Sequence, residues 1–282
     1  MGKIVYQKYV RGSGKSELPQ NRLYAILNDQ RLQYVVADHL NQVHYISDFK
    51  EDREVSYTKL LKEAFNFDPI LRSTFDDVFF LISNVGCVLT PVFSSTATEP
   101  SESPLLNWGE NEQQLEDTIL GSKAKNLYKV DQSLLSTMEV MFPQSKMIHK
   151  HSWGIQHYSQ MCTNLPGHRI FVEVLDQTLE IYYFKDAELQ FVNDFVFTNE
   201  KDFLYYIMLM YHQFDLNPDE DSLAIFGAVQ QIRGHVDLLK DYVRNIQFLQ
   251  YTTSFKDFDS TISADIRTHY YAILSFSSSN HY

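Results

Sequence analysis

A pair of similar segments, separated by about half the chain, constrains the fold more than any other feature of the sequence. "AILNDQRLQY" (25–34) and "VEVLDQTLEI" (172–181) each place turn residues between two short apolar runs, which is typical of a β-hairpin. Asp29-Gln30 and Asp176-Gln177 lie 147 positions apart. Three more pairs of similar segments follow in the same order: 45–49 with 191–195, 65–69 with 214–218, and 76–83 with 220–227. Four ordered matches indicate a duplicated unit.

The first copy predicts a short series of strands and helices. Turn residues separate three β-branched and aromatic runs, which predicts a three-strand meander. A helix is expected next, because apolar residues recur at helical spacing after Ser56, a suitable N-cap. The predicted elements are strands at 23–27, 32–37 and 43–46, a helix at 56–65, a strand at 77–83, a helix at 133–142 and a strand at 146–149.

The second copy predicts the same series. Its elements are strands at 170–175, 178–184 and 188–196, a helix at 201–214, a strand at 223–226, a helix at 235–243 and a strand at 246–251. Each half is therefore β-β-β-α-β-α-β, an α+β or α/β arrangement with helices packed on a mixed sheet. We expect a first lobe at 1–165 and a second lobe at 166–282. A polar, aperiodic stretch at about 94–117 is expected to be a mobile surface insertion in the first lobe.

Charge and cysteine content limit the possible partners and compartment. The 24 basic and 36 acidic residues give a net charge of −12, which disfavours nucleic acid as a partner because like charges repel. Cys87 and Cys162 are far apart and belong to no C-x-x-C motif, which is typical of a reducing compartment. No signal peptide and no apolar run of about 20 residues is found. These features predict a cytoplasmic protein without a membrane span.

The two turns and three further segments resemble an uncharacterised bacterial family of unknown function. The segments are "NVGCVLTPVF" (84–93), "MFPQSKMIHKHS" (141–152) and "LAIFGAV" (223–229). The resemblance covers nearly the whole chain and implies an actin-like ATPase fold built from two ribonuclease-H-like lobes. Pilus and secretion assembly proteins that use this fold as a scaffold are a more distant comparison. The resemblance also implies that ATP with Mg²⁺ is the ligand to consider, held by the paired turns.

The turns lack the glycines that such a phosphate site requires. In actin-like ATPases an Asp opens each turn and a Gly follows two residues later, so that backbone N–H groups can approach phosphate. Here Arg31 and Thr178 stand at the glycine positions. The family's adenosine motif has two glycines after a buried strand, whereas this chain has Gly227 followed by Ala228. The nucleotide motifs are therefore degenerate.

Two functions remain open at this point. The first is a non-catalytic scaffold or protein-interaction module with a protein partner of unknown identity, no cofactor and no catalytic residue. In this case the turn residues only form hairpins, which Asp and Asn favour in their own right. The alternative is an ATP-binding protein or ATPase with atypical phosphate turns, in which Asp29, Asp176 and Gly227 contact the nucleotide. The missing glycines favour the first.

Histidines in "HKHSWGIQH" (149–157) are candidate metal ligands. On a strand, His149 and His151 would share one face, and zinc accepts imidazole nitrogens. No carboxylate or thiol completes the set at a recognisable spacing, so surface or hydrogen-bonded histidines are favoured. Cys162 has no base at a recognisable spacing and is expected to be a small buried apolar residue.

Two other features could indicate an enzyme. A ribonuclease-H nuclease places carboxylates for two metal ions on its first and fourth strands, and the strand interiors "LYAIL" and "VFFLI" carry none. Glu173 in "IFVEVL" is the in-strand exception, and alone it cannot hold two metal ions. "GSGKS" (12–16) resembles part of a P-loop, but Tyr9 stands where that motif needs its first glycine. A polar loop is the favoured interpretation of this segment.

Overall fold

The computed structural model describes residues 2–10, 21–83, 85–91, 111–253, 258 and 261–279. They belong to two compact units, Met1–Trp153 with Phe276–Tyr282, and Gly154–Ser275. The predicted lobe boundary at 165/166 stays a prediction. The GSGKS segment and residues 94–110 of the polar insertion lie outside the described residues. Among the described residues, no helix is both long and apolar enough to cross a membrane.

The first unit contains a six-stranded mixed sheet. Its strands are β1 (Lys3–Tyr9), β2 (Asn21–Leu27), β3 (Arg31–Asp38), β4 (Val43–Lys50), β5 (Asp77–Ile82) and β9 (Lys146–His149). The order is β1-β4-β3-β2-β5-β9, with an antiparallel meander β2-β3-β4 and parallel pairing of β2 with β5 and of β5 with β9. The predicted meander is thus confirmed, whereas β1 was not predicted.

Two helices of the first unit come before its strands β5 and β9 in the chain. They are α1 (Tyr57–Phe67) and α2 (Gln132–Met141), and a 3-10 turn (Pro69–Arg72) follows α1. The predicted N-cap is confirmed, because Ser56 Oγ accepts a hydrogen bond from Lys59 N at 3.3 Å. Leu60, Leu61 and Ala64 form the buried side of α1 against the sheet. This apolar stripe fixes the helix on one face of the meander.

A second, smaller sheet is inserted between β5 and α2. Its strands are β6 (Cys87–Pro91), β7 (Glu112–Thr118) and β8 (Ala124–Asp131), in the order β6-β8-β7 and all antiparallel. The expected loop is therefore wrong for residues 112–117, which form an edge strand. The sequence of this strand, EQQLEDT, is polar, which suits side chains that remain at least partly accessible to water. Polar edges of this kind lack the apolar alternation that predicts a strand.

The second unit repeats the strand order of the first. Its strands are β10 (His168–Leu175), β11 (Thr178–Lys185), β12 (Glu188–Val196), β13 (Ser222–Gly227) and β14 (Ile246–Phe248), in the order β12-β11-β10-β13-β14. The meander is antiparallel and β13 pairs parallel with β10 and β14. Apart from β1, this is the order of the first sheet. The predicted duplication is therefore confirmed.

The remaining helices are α3 (Lys150–Cys162), α4 (Glu200–Gln213), α5 (Arg233–Lys240), α6 (Ala264–His269) and α7 (Tyr271–Ser277), and a 3-10 turn spans Val229–Ile232. One face of the second sheet packs on α4 through an apolar cluster that includes Ile181 and Ile225 from the sheet and Phe203, Ile207 and Met210 from the helix. Burying side chains of this size stabilises the unit by about 1.5–3 kcal/mol each. The sequence predicted α4 but not α3, α6 or α7.

Candidate functional site

The first turn, between β2 and β3, uses its own backbone donors. Asn28 N donates to Arg31 O at 3.0 Å. The Asn28 side chain turns back into the loop, where Oδ1 accepts from Gln30 N at 2.9 Å and from Arg31 N at 2.6 Å. The backbone N–H groups of Asn28, Gln30 and Arg31 are therefore all bonded inside the turn. Such an Asn side chain stabilises a turn locally.

The side chain at the missing glycine position is anchored in the sheet. Arg31 Nε lies 3.5 Å from Asp48 Oδ1, and both side chains are buried, 4% and 0% exposed. Gln33 Nε2 also donates to Asp48 Oδ2 at 3.3 Å. The positive charge of Arg31 is thus compensated within the protein, where a buried carboxylate needs it. An anion from solvent would have to compete with Asp48.

Asp29 lies at the tip of the same turn and is only half-buried. Its carbonyl oxygen accepts from Val55 N at 2.8 Å, which ties the turn to the segment before α1. Tyr57 lies beside it and donates from its hydroxyl to Ser83 O at 2.6 Å. Burial raises the pKa of Tyr57 above its ordinary value, and the negative charge of Asp29 adds to this effect. The hydroxyl therefore stays protonated and can donate a hydrogen bond. Asp29 is therefore held in place by neighbours on two sides.

In the second unit, Asp176 and Gly227 lie at the same end of the sheet. Asp176 opens the β10–β11 turn with a left-handed backbone, φ +53°. Gly227 ends β13 opposite Val174, with φ +88°, and a Cβ there would lie 2.1 Å from Val174 O. Backbone conformation and close approach therefore account for the glycine without a ligand. The assignment of Asp29, Asp176 and Gly227 to a nucleotide stays a prediction.

A groove of about 380 Å³ opens in the first unit beside the first turn. It is lined by the N-terminal ends of α1 and α2, the segment before β6, and β7 and β8; residues at its wall include Tyr57, Val85, Gly86, Lys129 and Leu134. Lys129 Nζ pairs with Glu112 Oε2 at 2.8 Å. The groove thus combines apolar walls with a compensated pair of charges. Sequence reasoning missed it because part of its wall, Glu112 and Lys129 to Asp131, belongs to the unpredicted small sheet.

The candidate metal ligands do not share a strand. His149 ends β9 and His151 belongs to α3, so the expected common strand face is wrong. The two rings are nevertheless adjacent, with centroids 4.9 Å apart. Cys87 from β6 joins them, with Sγ 3.4 Å from His151 Nδ1. One ligand atom from each of the three residues lies within 4.8 Å of the others. Sequence reasoning missed Cys87 because it lies 62 residues before His149 in the chain.

A half-buried carboxylate, Asp117 of β7, supports this cluster. Asp117 Oδ2 accepts from His149 N at 2.7 Å, and Tyr128 donates from its hydroxyl to Asp117 Oδ1 at 3.2 Å. Burial raises the pKa of Asp117, although hydrogen bonds, first from Ser152 and then from His149, oppose that change. Asn126 Nδ2 in turn donates to Ser152 Oγ at 3.0 Å. The first turn of α3 is therefore fixed by side chains of the small sheet.

Glu173 is not the only carboxylate inside a strand of the second sheet. Glu180 lies opposite it in the β10–β11 register, and both side chains are buried. Tyr182 donates from its hydroxyl to Glu180 Oε1. Burial raises the pKa of Tyr182 and of Tyr158, whose ring centroid is 4.8 Å from that of Tyr182. Both tyrosines therefore remain protonated donors in this apolar layer.

Cys162 ends α3 and is buried. Burial raises the pKa of its thiol to about 11. The thiol thus stays protonated at neutral pH and is a weak nucleophile.

Solved structures show the class of fold. A protein from Bacteroides thetaiotaomicron VPI-5482, described as having an actin-like ATPase fold and unknown function, is 17% identical with a TM-score of 0.72, over 91% of this chain and 96% of that chain. The PilM-PilN type IV pilus biogenesis complex contains a chain that is 12% identical with a TM-score of 0.57, over 92% of this chain and 98% of that chain. The protein therefore has an actin-like ATPase fold with two ribonuclease-H-like lobes, as predicted.

The family follows from the sequence match. The chain belongs to the family described as protein of unknown function (DUF3822), whose model matches residues 15–246. No curated protein matches the chain. The predicted resemblance to an uncharacterised family with an actin-like fold is thus confirmed, and the family's description assigns it no activity.

Proposed function

We propose that this protein is a non-catalytic protein-interaction module, a scaffold built on an actin-like ATPase fold and working in the cytoplasm. The single observation that carries the proposal is the first turn, where Asn28 Oδ1 takes the N–H groups of Gln30 and Arg31. A phosphate cradle needs these donors pointing outward. In this turn they stabilise the protein's own backbone.

A second observation supports the same function. The Arg31 side chain, at the position of the phosphate-turn glycine, is buried against Asp48. The chain therefore lacks both the space and the donors of the fold's phosphate site at this turn. The complex of PilM with PilN shows that a protein with this fold can serve by binding another protein. The net charge of −12 argues against nucleic acid as the partner.

The groove in the first unit is the proposed docking place for the partner. It is large enough, at about 380 Å³, to take a few side chains of a protein segment. Tyr57 and Leu134 supply apolar wall, and the Lys129–Glu112 pair lies at its polar side. Apolar anchors beside a few polar groups are the usual composition of a recognition site.

Binding of Mg-ATP is the direct test of the negative part of the proposal. A ligand at 100 times its dissociation constant raises the free energy of unfolding by about 2.7 kcal/mol. We expect millimolar Mg-ATP to leave the melting temperature of the full chain unchanged. An upward shift that Asp29→Ala abolishes would show instead that the protein binds ATP through atypical turns.

A blocked groove tests the positive part. Gly86 lines the groove and a Cβ there would meet no atom within 4 Å, so Gly86→Trp is expected to fill the groove without unfolding the unit. Proximity labelling in the native cell should enrich a protein with the wild-type chain and lose it with Gly86→Trp. Val140→Trp, at an exposed position of α2, is the matched control and should retain the partner. Equal labelling by all three chains would refute docking in the groove.

A further inference from the structure

We propose that Cys87, His149 and His151 form a zinc site that fastens the small inserted sheet to the main sheet of the first unit. The three residues come from β6, from the end of β9 and from the first turn of α3. Their ligand atoms already lie within 4.8 Å of one another. A metal ion at this place would link β6 to the consecutive elements β9 and α3, which follow much later in the chain, independently of any function of the groove or the turns.

The distance between the thiol and the imidazole matches tetrahedral zinc. Cys87 Sγ lies 3.4 Å from His151 Nδ1. With Zn–S of about 2.3 Å and Zn–N of about 2.0–2.1 Å, tetrahedral angles place the sulfur and nitrogen atoms about 3.5 Å apart. The two atoms therefore need almost no movement to share an ion. Thiolate with imidazole is a ligand set that suits Zn²⁺ rather than Mg²⁺ or Ca²⁺.

The third ligand, His149, is already oriented by a hydrogen bond from the other nitrogen of its ring. His149 Nε2 lies 3.2 Å from Val85 O, and since a carbonyl oxygen only accepts, Nε2 carries the proton. His149 Nδ1 accepts from the backbone N–H of His151 at 3.0 Å, as it must in this tautomer. A metal-bound histidine commonly donates its other N–H to a backbone carbonyl in this way. Binding through Nδ1 would replace one local hydrogen bond.

The surroundings hold these side chains in place. The His149 backbone donates to Asp117 Oδ2 at 2.7 Å, and the Tyr128 ring packs on the His149 ring with centroids 5.2 Å apart. The imidazoles of His149 and His151 are buried and Cys87 is half-buried. Zinc binding would release the thiol proton of Cys87 to solvent, and a water molecule can complete the tetrahedral set.

Cobalt substitution tests the site on the full chain. We expect the chelator-treated wild type to bind Co²⁺ stoichiometrically with a sulfur-to-cobalt charge-transfer band, and Zn²⁺ to displace the cobalt and raise the melting temperature. Cys87→Ser and His151→Gln should lose the band and the thermal shift. Cys162→Ser and His157→Gln, a second thiol and a second α3 imidazole, are matched controls and should keep both.

Three results would overturn the proposal. The first is that the wild type takes up no Co²⁺ or Zn²⁺, which needs no variant to interpret. The second is loss of the band with Cys162→Ser and its retention with Cys87→Ser, which would place the metal elsewhere. The third is metal binding without a sulfur band, which would exclude Cys87 as a ligand. Circular dichroism of each variant before metal addition shows that the variants are folded.

Discussion

Arg31→Met is expected to destabilise the first unit far more than loss of a half-exposed arginine from the same sheet. Arg31 and Asp48 are 4% and 0% exposed, so the variant leaves the Asp48 charge buried and uncompensated. Removing one partner of a buried ion pair costs about 3–5 kcal/mol. The control is Arg22→Met: Arg22 Nε lies closer to its partner, 3.2 Å from Asp77 Oδ2, but the pair is 33% and 44% exposed. Water screens that pair, and we expect a loss of about 0–1 kcal/mol.

A double variant separates the charge effect from the loss of packing. Arg31→Met combined with Asp48→Asn removes both charges, while the new amide keeps an oxygen to accept from Gln33 Nε2. We expect the double variant to be more stable than Arg31→Met alone. The coupling energy between the two positions should be about 1–3 kcal/mol, in the range for residues in direct contact.

Urea unfolding near neutral pH measures these differences. Trp153 is buried in the same unit and its fluorescence reports the unfolding of that unit. Equal losses for Arg31→Met and Arg22→Met, within about 0.5 kcal/mol, would refute the burial argument, since that is the size of an ordinary surface effect. Strictly additive losses in the double variant would refute the pairing of Arg31 with Asp48.

Three further sets of variants test other parts of the structure. Gly227→Ala should cost about 3 kcal/mol or more by urea unfolding, because its Cβ would meet Val174 O; Gly167→Ala has a similar φ of +91° but open space, and should cost only about 1–2 kcal/mol. Burial lowers the pKa of His157 to about 4. The neutral ring therefore stabilises the fold fully above about pH 6.5, and up to about 3 kcal/mol is lost as pH falls toward 4. In His157→Gln the free energy of unfolding should lack this loss, and the same pH dependence as in the wild type would contradict the assignment. Asn28→Ala should lose about 1–2 kcal/mol and Asn28→Asp much less, since the aspartate retains an oxygen for the turn; equal losses would contradict the role of Oδ1.

The duplicated meander could be predicted because both of its signals are local. Turn residues such as Asn28 and Asp176 interrupt short apolar runs, and strands of this kind are recognised by their own sequence. Ser56 likewise marks the start of α1, because its side chain accepts a hydrogen bond from Lys59 N, only three residues later in the sequence. Both sheets have the same strand order apart from β1, because both copies have the same series of strands and helices.

Helix α3 could not be predicted because distant residues determine where it begins. The residue before it, His149, donates its backbone N–H to the Asp117 carboxylate of β7. The Gly154 position disfavours a helix locally, yet a Cβ there would lie 2.2 Å from the Tyr182 hydroxyl. Packing against Tyr182 therefore requires glycine at position 154, although glycine lowers the helix propensity of the segment. The same long-range dependence concealed Cys87 as a neighbour of His149 and His151.

The buried carboxylates show a further limit of the sequence. Glu173 and Glu180 face each other because their strands pair in a register that only the folded hairpin establishes. In the first sheet, Ile26 and Gln33 occupy the corresponding pair. The two units thus share a backbone but differ in the chemistry of one sheet face. Similarity of elements predicts the fold, whereas single substitutions at matched positions decide the chemistry.

The proposal of a scaffold rather than a nucleotide-binding protein depends on how much free energy it costs to open the first turn. Freeing the N–H groups held by Asn28 gives up two hydrogen bonds, about 1–3 kcal/mol in total. Because the Arg31 side chain is anchored on Asp48, a shift of the turn that breaks this pair adds about 3–5 kcal/mol. The sum, about 4–8 kcal/mol, is about half or more of the binding free energy of a micromolar ligand, about 8 kcal/mol. Either cost alone would only weaken ATP binding, and their combination in one turn is what favours a scaffold.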